Sequence, residues 1–145
     1  MNKKLFFFLF FISCISSTSS VEIDTYNLLV YENIDNEIIQ EDLSDKNTII
    51  VFWADYWGIC RQELPVLEDN LINLKEYNVI ALAHSDLEST KYWVENNLKG
   101  LLNVGISTKE LRDRYKIIGQ PITIILNTSG EVVYREFGTL PTNGF

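Results

Sequence analysis

The chain has 145 residues, of which 46% are hydrophobic, and it carries a formal net charge of −8. A chain of this length supplies one compact domain, because a core of that size can offset the entropy of ordering the chain. The acidic balance argues against nucleic acid as a partner, since phosphates require a basic surface. We therefore expect a single acidic domain that does not bind nucleic acid.

The first twenty residues differ from the rest of the chain. Lys3 and Lys4 precede an apolar run at residues 5–12, and small polar residues follow up to residue 20. This three-part pattern is typical of a secretory signal, and the apolar run is shorter than the roughly 20 residues of a membrane-spanning helix. The sequence predicts an exported, periplasmic or otherwise extracytoplasmic protein, with a signal peptide at 1–20 and one domain at 21–145.

Alternatives stay open at Cys14, which follows a Phe-Ile-Ser segment. Either Cys14 is the lipidation site of a lipoprotein signal and anchors the protein to a membrane, or it leaves with a signal that is cut near Ser20. An uncleaved signal would be a further form of membrane anchor. If Cys14 is lipidated or removed, Cys60 is the single free thiol of the mature chain.

The predicted elements begin with a β-hairpin at residues 26–31 and 37–40, because an Asn-Ile-Asp-Asn turn separates two β-leaning runs. Residues 48–53 are β-branched and aromatic throughout, which predicts a central parallel strand buried on both faces. A short turn then leads into a helix at 60–77, whose leucines recur at helical spacing. We expect this helix to kink at Pro65, which removes a backbone donor.

Residues 79–83 predict another buried strand, and residues 86–98 predict an amphipathic helix. The apolar positions of that helix include Tyr92, Trp93 and Leu98. Gly100 is expected to close the helix in a left-handed conformation, which glycine adopts without steric cost.

The last part of the chain predicts a third strand at 101–106 and a short helix at 108–115 with Ser107 as its N-cap. Two further strands, at 122–126 and 132–137, are joined by an Asn-Thr-Ser-Gly turn and predict a hairpin. The element order indicates an α/β fold, a mixed β-sheet flanked by helices.

A buried strand that leads directly into Cys60 at a helix start places a sulfur where the helix dipole favours thiolate. Residues 52–65, FWADYWGICRQELP, resemble the active-site segment of the thioredoxin superfamily, and especially its exported TlpA/ResA-like thiol-disulfide oxidoreductases, which read FWAxWCxxC followed by RxExP. Residues 119–123, GQPIT, are similar to that family's GxPTT, whose proline is cis and faces the active-site cysteines. The resemblance covers residues 26–138 and implies a thioredoxin-like fold with a cis bond between Gln120 and Pro121.

The chain departs from the family pattern at the site itself. Trp57 stands where the attacking cysteine is expected, Ile59 where proline is usual, and Val51 where many thioredoxins carry an acid. Of the two site cysteines only the resolving one, Cys60, remains, so the active site is degenerate. The family's C-terminal helix is also expected to be missing, which would leave apolar surface near residues 132–137 partly uncovered.

Two functions stay open, because disulfide reduction needs one thiolate to attack and a second thiol to resolve the mixed disulfide. The first is a module without dithiol catalysis that binds an extended peptide or a partner protein by β-augmentation. Its expected binding residues are Trp57, Gly58, Gln120 and Pro121. The second is a thiol-disulfide oxidoreductase that acts on a thiol partner through Cys60 alone, with Trp57 partly covering that thiol.

No metal or other cofactor is expected. His84 is the only histidine, and together with Cys60 it falls short of the three converging ligands that a metal site needs. Glu63, Glu68 and Asp69 follow Cys60 on the same predicted helix, and we expect all three carboxylates to lie on its solvated face.

Overall fold

The computed structural model describes residues 27–138 as a seven-stranded sheet with three helices. The predicted signal and Cys14 lie outside the described residues. The strands are β1 Leu28–Asn33, β2 Ile38–Asp42, β3 Thr48–Trp53, β4 Asn78–Ala83, β5 Asn103–Ile106, β6 Ile122–Leu126 and β7 Val132–Phe137. The helices are α1 Gly58–Asp69, α2 Leu87–Asn97 and α3 Lys109–Arg114. The predicted mixed α/β sheet and both predicted hairpins are confirmed.

The strand order is β2-β1-β5-β4-β3-β6-β7, so β3 lies inside the sheet. It pairs in parallel with β4 and antiparallel with β6, and all six of its residues are buried. Trp53 pairs with Ala83, the last residue of β4, so the two strands end together beside the start of α1. The prediction of a central strand at 48–53, parallel to its neighbour at 79–83, is confirmed.

Alternate residues of β3 serve two separate cores, as the period of two in a strand requires. One core joins the sheet to α1 and α2, and β3 gives it Ile49, Val51 and Trp53. The other core lies on the opposite face, beneath α3, and takes Ile50 and Phe52. The sheet therefore carries helices on both faces, as predicted.

Helix α1 runs through Pro65 and ends at Asp69, eight residues before the predicted end. At the C-cap residue Asn70 the backbone leaves helical angles, with a φ of −94° and a ψ of 4°, and its side-chain amide and backbone N–H both donate to the carbonyl of Val66, at 2.9 and 3.1 Å. An asparagine side chain that bonds the preceding turn competes with further helix. A 3-10 turn at Leu71–Leu74 follows, so the prediction of one continuous helix to residue 77 is wrong.

Helix α2 begins after Asp86, whose carboxylate accepts the backbone N–H of Ser89 at 2.8 Å. Trp93 is buried as predicted, but Tyr92 is 72% exposed, so its assignment to the apolar face is wrong. One residue step turns a helix by about 100°, which separates these neighbours. Gly100 has a φ of 78°, the predicted left-handed conformation, in the loop beyond α2.

The N-cap of α3 is Thr108 and not Ser107. The Thr108 hydroxyl accepts the backbone N–H of Leu111 at 3.2 Å. Ser107 instead continues the line of β5, because its backbone N–H donates to the carbonyl of Ala83 at 2.8 Å. The predicted cap was therefore one residue early.

The N-terminal hairpin joins the rest of the sheet through a short ladder of two residue pairs between β1 and β5, Glu32 with Ile106 and Asn33 with Gly105. A Cβ atom on Gly105 would lie 2.3 Å from the ring of Tyr31. The strand can approach the Tyr31 ring only because residue 105 is glycine.

The last described strand, β7, has all six residues exposed, including Val133 and Phe137. This agrees with the expectation of uncovered apolar surface near 132–137. The expected lack of a final helix concerns residues beyond Gly138, which lie outside the described part. Within residues 27–138, no helix is both long and apolar enough to cross a membrane.

Candidate active site

The candidate site forms where β3 ends and α1 begins. After Trp53 the chain turns, and the N–H of Trp57 donates to the carbonyl of Ala54 at 3.1 Å. Trp57 is the N-cap residue of α1 with extended backbone angles, and its indole makes no capping hydrogen bond. Cys60 follows as the third residue of α1, so its predicted place in the first helical turn is confirmed.

The Cys60 side chain is fully buried and belongs to the core formed by α1, α2 and the sheet. Burial raises the pKa of the Cys60 thiol; a hydrogen bond from the Ala54 backbone opposes the shift, and the nearby Glu63 adds to it. Desolvation therefore outweighs the thiolate-stabilising effect of the helix N-terminus. Near neutral pH this sulfur is a thiol.

Val51 lies in the same buried core as Cys60. The position that is acidic in many thioredoxins is therefore an apolar residue here, and it offers the thiol no proton acceptor.

An exposed apolar border surrounds this buried sulfur. Trp57 is 45% exposed, and Tyr56 and Ile59 are exposed as well. Gly58 opens α1, and a Cβ atom placed on it would meet nothing within 4 Å, so the backbone there faces open space. The expectation that the Trp57 indole covers Cys60 stays a prediction.

The loop before β6 lies against this turn. The Gln120–Pro121 peptide bond is cis, as predicted. Nε2 of Gln120 donates to Oη of Tyr56 at 3.2 Å, which links the loop to the turn that precedes α1. The fold thus brings Tyr56 together with Gln120, although more than 50 residues separate them in the chain.

His84 follows β4 at the same end of the sheet, and its backbone N–H donates to the carbonyl of Trp53 at 2.7 Å. Nδ1 of its ring lies 2.5 Å from Nη1 of Arg112 on α3. Burial lowers the pKa of His84, and the Arg112 charge lowers it further. In the part of the chain from 27 to 138, no three His, Cys, Asp or Glu side chains converge as a metal site would require.

The expectation that Glu68 lies on the solvated face of α1 is wrong. The Glu68 side chain is 2% exposed, and its carboxylate accepts the backbone N–H groups of Lys99, Leu101 and Leu102. The neighbouring Asp69 is exposed, as expected, and pairs with the Lys99 ammonium. A signal was present, because residue 68 shares the apolar stripe of Leu64, Leu67 and Leu71 at spacings of three and four.

The family model described as the AhpC/TSA family matches residues 25–135 of this chain. The thiol-disulfide oxidoreductase ResA of Oceanobacillus iheyensis is 29% identical over 108 residues, 71% of this chain and 56% of ResA. ResA of Bacillus subtilis is 26% identical over 121 residues, 81% of this chain and 67% of that protein. The chain thus spans between about half and two thirds of the length of these relatives.

Among solved structures, the exposed lipoprotein thioredoxin of Streptococcus pneumoniae superposes with a TM-score of 0.68 at 20% identity. The superposition covers 81% of this chain and 93% of that structure. This likeness shows that the chain has a thioredoxin-like fold. Since the family model spans most of the described residues, the chain belongs to the AhpC/TSA family of thioredoxin-like proteins.

Proposed function

We propose that this chain is an exported thioredoxin-like protein that binds an extended peptide or a partner protein and does not carry out dithiol catalysis. The observation that supports this most is the state of Cys60, which is fully buried and has a raised pKa. Trp57 stands where the family pattern has the attacking cysteine. A single buried thiol attacks slowly and has no partner sulfur to resolve a mixed disulfide.

The exposed apolar side chains around the site supply a surface for such a partner. Tyr56, Trp57 and Ile59 stand on the turn and the first residues of α1, and Ile118, on the loop that leads to Pro121, is 93% exposed. Aromatic side chains such as tryptophan contribute large contact areas at low entropy cost, which suits binding. Exposed apolar residues grouped on one surface favour a protein ligand over a small polar one.

The backbone beside Pro121 supports binding of an extended segment. Within residues 27–138, neither the N–H nor the C=O of Gln120 bonds another backbone group. The carbonyl of Pro121 is already taken by the N–H of Gly138 at 3.0 Å. A partner strand would therefore pair with Gln120, and such main-chain pairing requires no attacking sulfur.

Export is the part of the proposal that rests on residues 1–20, the predicted signal peptide. The S. pneumoniae protein of similar fold is described as an exposed lipoprotein, which supports anchoring through a lipidated Cys14 here. Metabolic labelling with a tagged fatty acid tests this form of anchoring. Incorporation that is lost in Cys14→Ser supports lipidation, and equal labelling of both chains contradicts it.

The alternative function is a thiol-disulfide oxidoreductase that works through Cys60 alone, which the names of the two curated relatives favour. Thiol labelling distinguishes the two. In the Cys14→Ser chain, an aromatic disulfide reagent near neutral pH should react with Cys60 only after denaturation. Cys60→Ser is the matched control, because any labelling of that chain comes from Cys14. Fast labelling of Cys60 in the folded chain would favour the single-thiol enzyme.

A further inference from the structure

A polar cleft lies directly beside the candidate site. Its volume is about 130 Å³, and it is lined by His84, Arg112 and residues 117–120. Gln120 belongs to both places, because it lines the cleft and also donates to Tyr56 on the turn before α1. A peptide that pairs with Gln120 would therefore pass the mouth of this cleft.

Two basic side chains, His84 and Arg112, line the cleft, and both can donate hydrogen bonds. Nη1 of Arg112 donates to the carbonyl of Ser107 at 2.8 Å and contacts Nδ1 of His84. A guanidinium offers donors only, so Nδ1 of His84 must accept, and the imidazole proton resides on Nε2. His84 thus presents Nε2–H, and Arg112 has further N–H groups beyond these two bonds.

Two carboxylates near His84, one two residues along the chain and one bonded to the neighbouring Ser85, already accept hydrogen bonds. Asp86 accepts from the backbone and hydroxyl of Ser89, at 2.8 and 2.9 Å. Asp55 accepts the hydroxyl of Ser85 at 2.6 Å. No acidic residue lines the cleft within the described chain, although the net charge of the whole chain is −8. Arg112 is therefore the charged side chain of the cleft lining, and it is positive, on a protein that is acidic as a whole.

We propose that this cleft binds a carboxylate of the partner, from a glutamate or aspartate side chain of the segment that lies along the loop before Pro121. The inference rests on the proposed function, since it assigns a preference to the same binding surface. A guanidinium fork and an imidazole N–H are suitable donors for the oxygens of one carboxylate. A partner with an acidic side chain beside its apolar contact would be selected over a neutral one.

Binding of a peptide scan to the full chain tests the proposal. The peptides have blocked ends, so that no terminal carboxylate competes, and one glutamate is moved along the peptide, with a glutamine version for each position. We expect about tenfold tighter binding of the best glutamate peptide than of its glutamine version, because solvent screens a charge-assisted contact in an open cleft. The preference should disappear in Arg112→Gln and persist in part in Arg112→Lys.

Lys46→Gln is the matched control, because it removes the same charge from a partly exposed lysine outside the cleft. It should keep the full preference for glutamate. Equal binding of both peptide series to the unmodified chain overturns the carboxylate site and leaves peptide binding intact. A glutamate preference that survives Arg112→Gln overturns it as well.

If no peptide binds, the proposed function fails. The cleft is then tested separately, by the NMR signals of His84. His84 is the only histidine, so its ring protons give one identifiable set of NMR signals. Glutarate should shift these signals and raise the pKa of His84, since an anion favours the imidazolium. Glutaramide, the neutral probe, should not. Absence of a glutarate effect, or an effect that Arg112→Gln leaves unchanged, overturns the site.

Discussion

Replacing Glu68 by alanine tests the buried link between α1 and the segment that follows α2. The Glu68 carboxylate accepts backbone N–H groups from Lys99 at 2.7 Å, Leu101 at 2.8 Å and Leu102 at 3.2 Å. Alanine leaves all three amides without this acceptor. The hydrogen bond to Leu102 is buried, and the other two are partly buried.

The expected loss follows from the cost of unsatisfied donors. A buried N–H without an acceptor costs about 1–3 kcal/mol, and one that water reaches costs less. With about 2 kcal/mol for the amide of Leu102 and about 0.5–1 for each of the others, Glu68→Ala should lower the free energy of unfolding by about 3–4 kcal/mol. Glu68→Gln keeps a carbonyl oxygen but turns an NH₂ group toward one donor. We therefore expect it to lower the free energy of unfolding by about 1–2 kcal/mol.

Asp69→Asn supplies the matched control, because Asp69 is the next residue on α1 and its ion pair with Lys99 is exposed. Its expected cost is below about 1 kcal/mol, as for other surface ion pairs. Urea unfolding followed by circular dichroism measures all three variants, provided that the slope with denaturant is unchanged. If Glu68→Ala costs no more than Asp69→Asn, the three amides have found water and the reasoning about their burial is wrong.

Further predictions concern the site and α3. Insulin reduction with dithiothreitol should show no rate above background for the unmodified chain. Trp57→Cys should give a measurable rate, because the substitution adds the attacking sulfur. Turnover by the unmodified chain that Cys60→Ser abolishes would contradict this prediction. Since burial raises the pKa of Cys60 above its ordinary 9.0, its protonated form stabilises the fold fully below pH 9.0, and that contribution is lost as the pH rises through the folded-state pKa. The free energy of unfolding should therefore fall at alkaline pH, and it should fall less in Cys60→Ala. Identical pH profiles for the two chains would refute this prediction. Thr108→Ala should lower the free energy of unfolding by about 1 kcal/mol, because α3 loses its N-cap. Ser107→Ala should lower it less, because the Ser107 hydroxyl is buried without a hydrogen-bond partner among the described residues. The reverse order of the denaturant midpoints would restore Ser107 as the cap.

The strands were predictable because their signals are local. The β-branched and aromatic run of β3 leaves no polar face, and the Asn-Thr-Ser-Gly turn between β6 and β7 separates two apolar segments. Both features are read from neighbouring residues. The resemblance added what local signals lack, the cis bond before Pro121 and the approach of its loop to the turn that precedes α1.

The predictions are wrong where the burial or hydrogen bonding of a residue depends on residues that are far away in the sequence. The burial of Glu68 follows from the backbone of residues 99–102, which no property of α1 reveals beyond the position of residue 68 on the apolar stripe. Ser107 and Thr108 are equivalent as caps by residue type, and the bond from Ser107 to Ala83 on β4 decides between them. The balance between helix dipole and burial at Cys60 is likewise set by packing across the sheet.

The two-pair ladder between β1 and β5 divides the sheet into an arm and a platform. The platform, β5-β4-β3-β6-β7, supports α1 and the cis-proline loop, and the arm enters its hydrogen-bond network at one edge only. An arm of different length would alter this ladder and the packing of Leu29 and Tyr31 in the core beneath α3, and it would leave the pairing of β3 with β4 and β6 unchanged. Related chains should therefore tolerate arms of different length, provided that residue 105 stays glycine, because the ring of Tyr31 leaves no room there for a side chain.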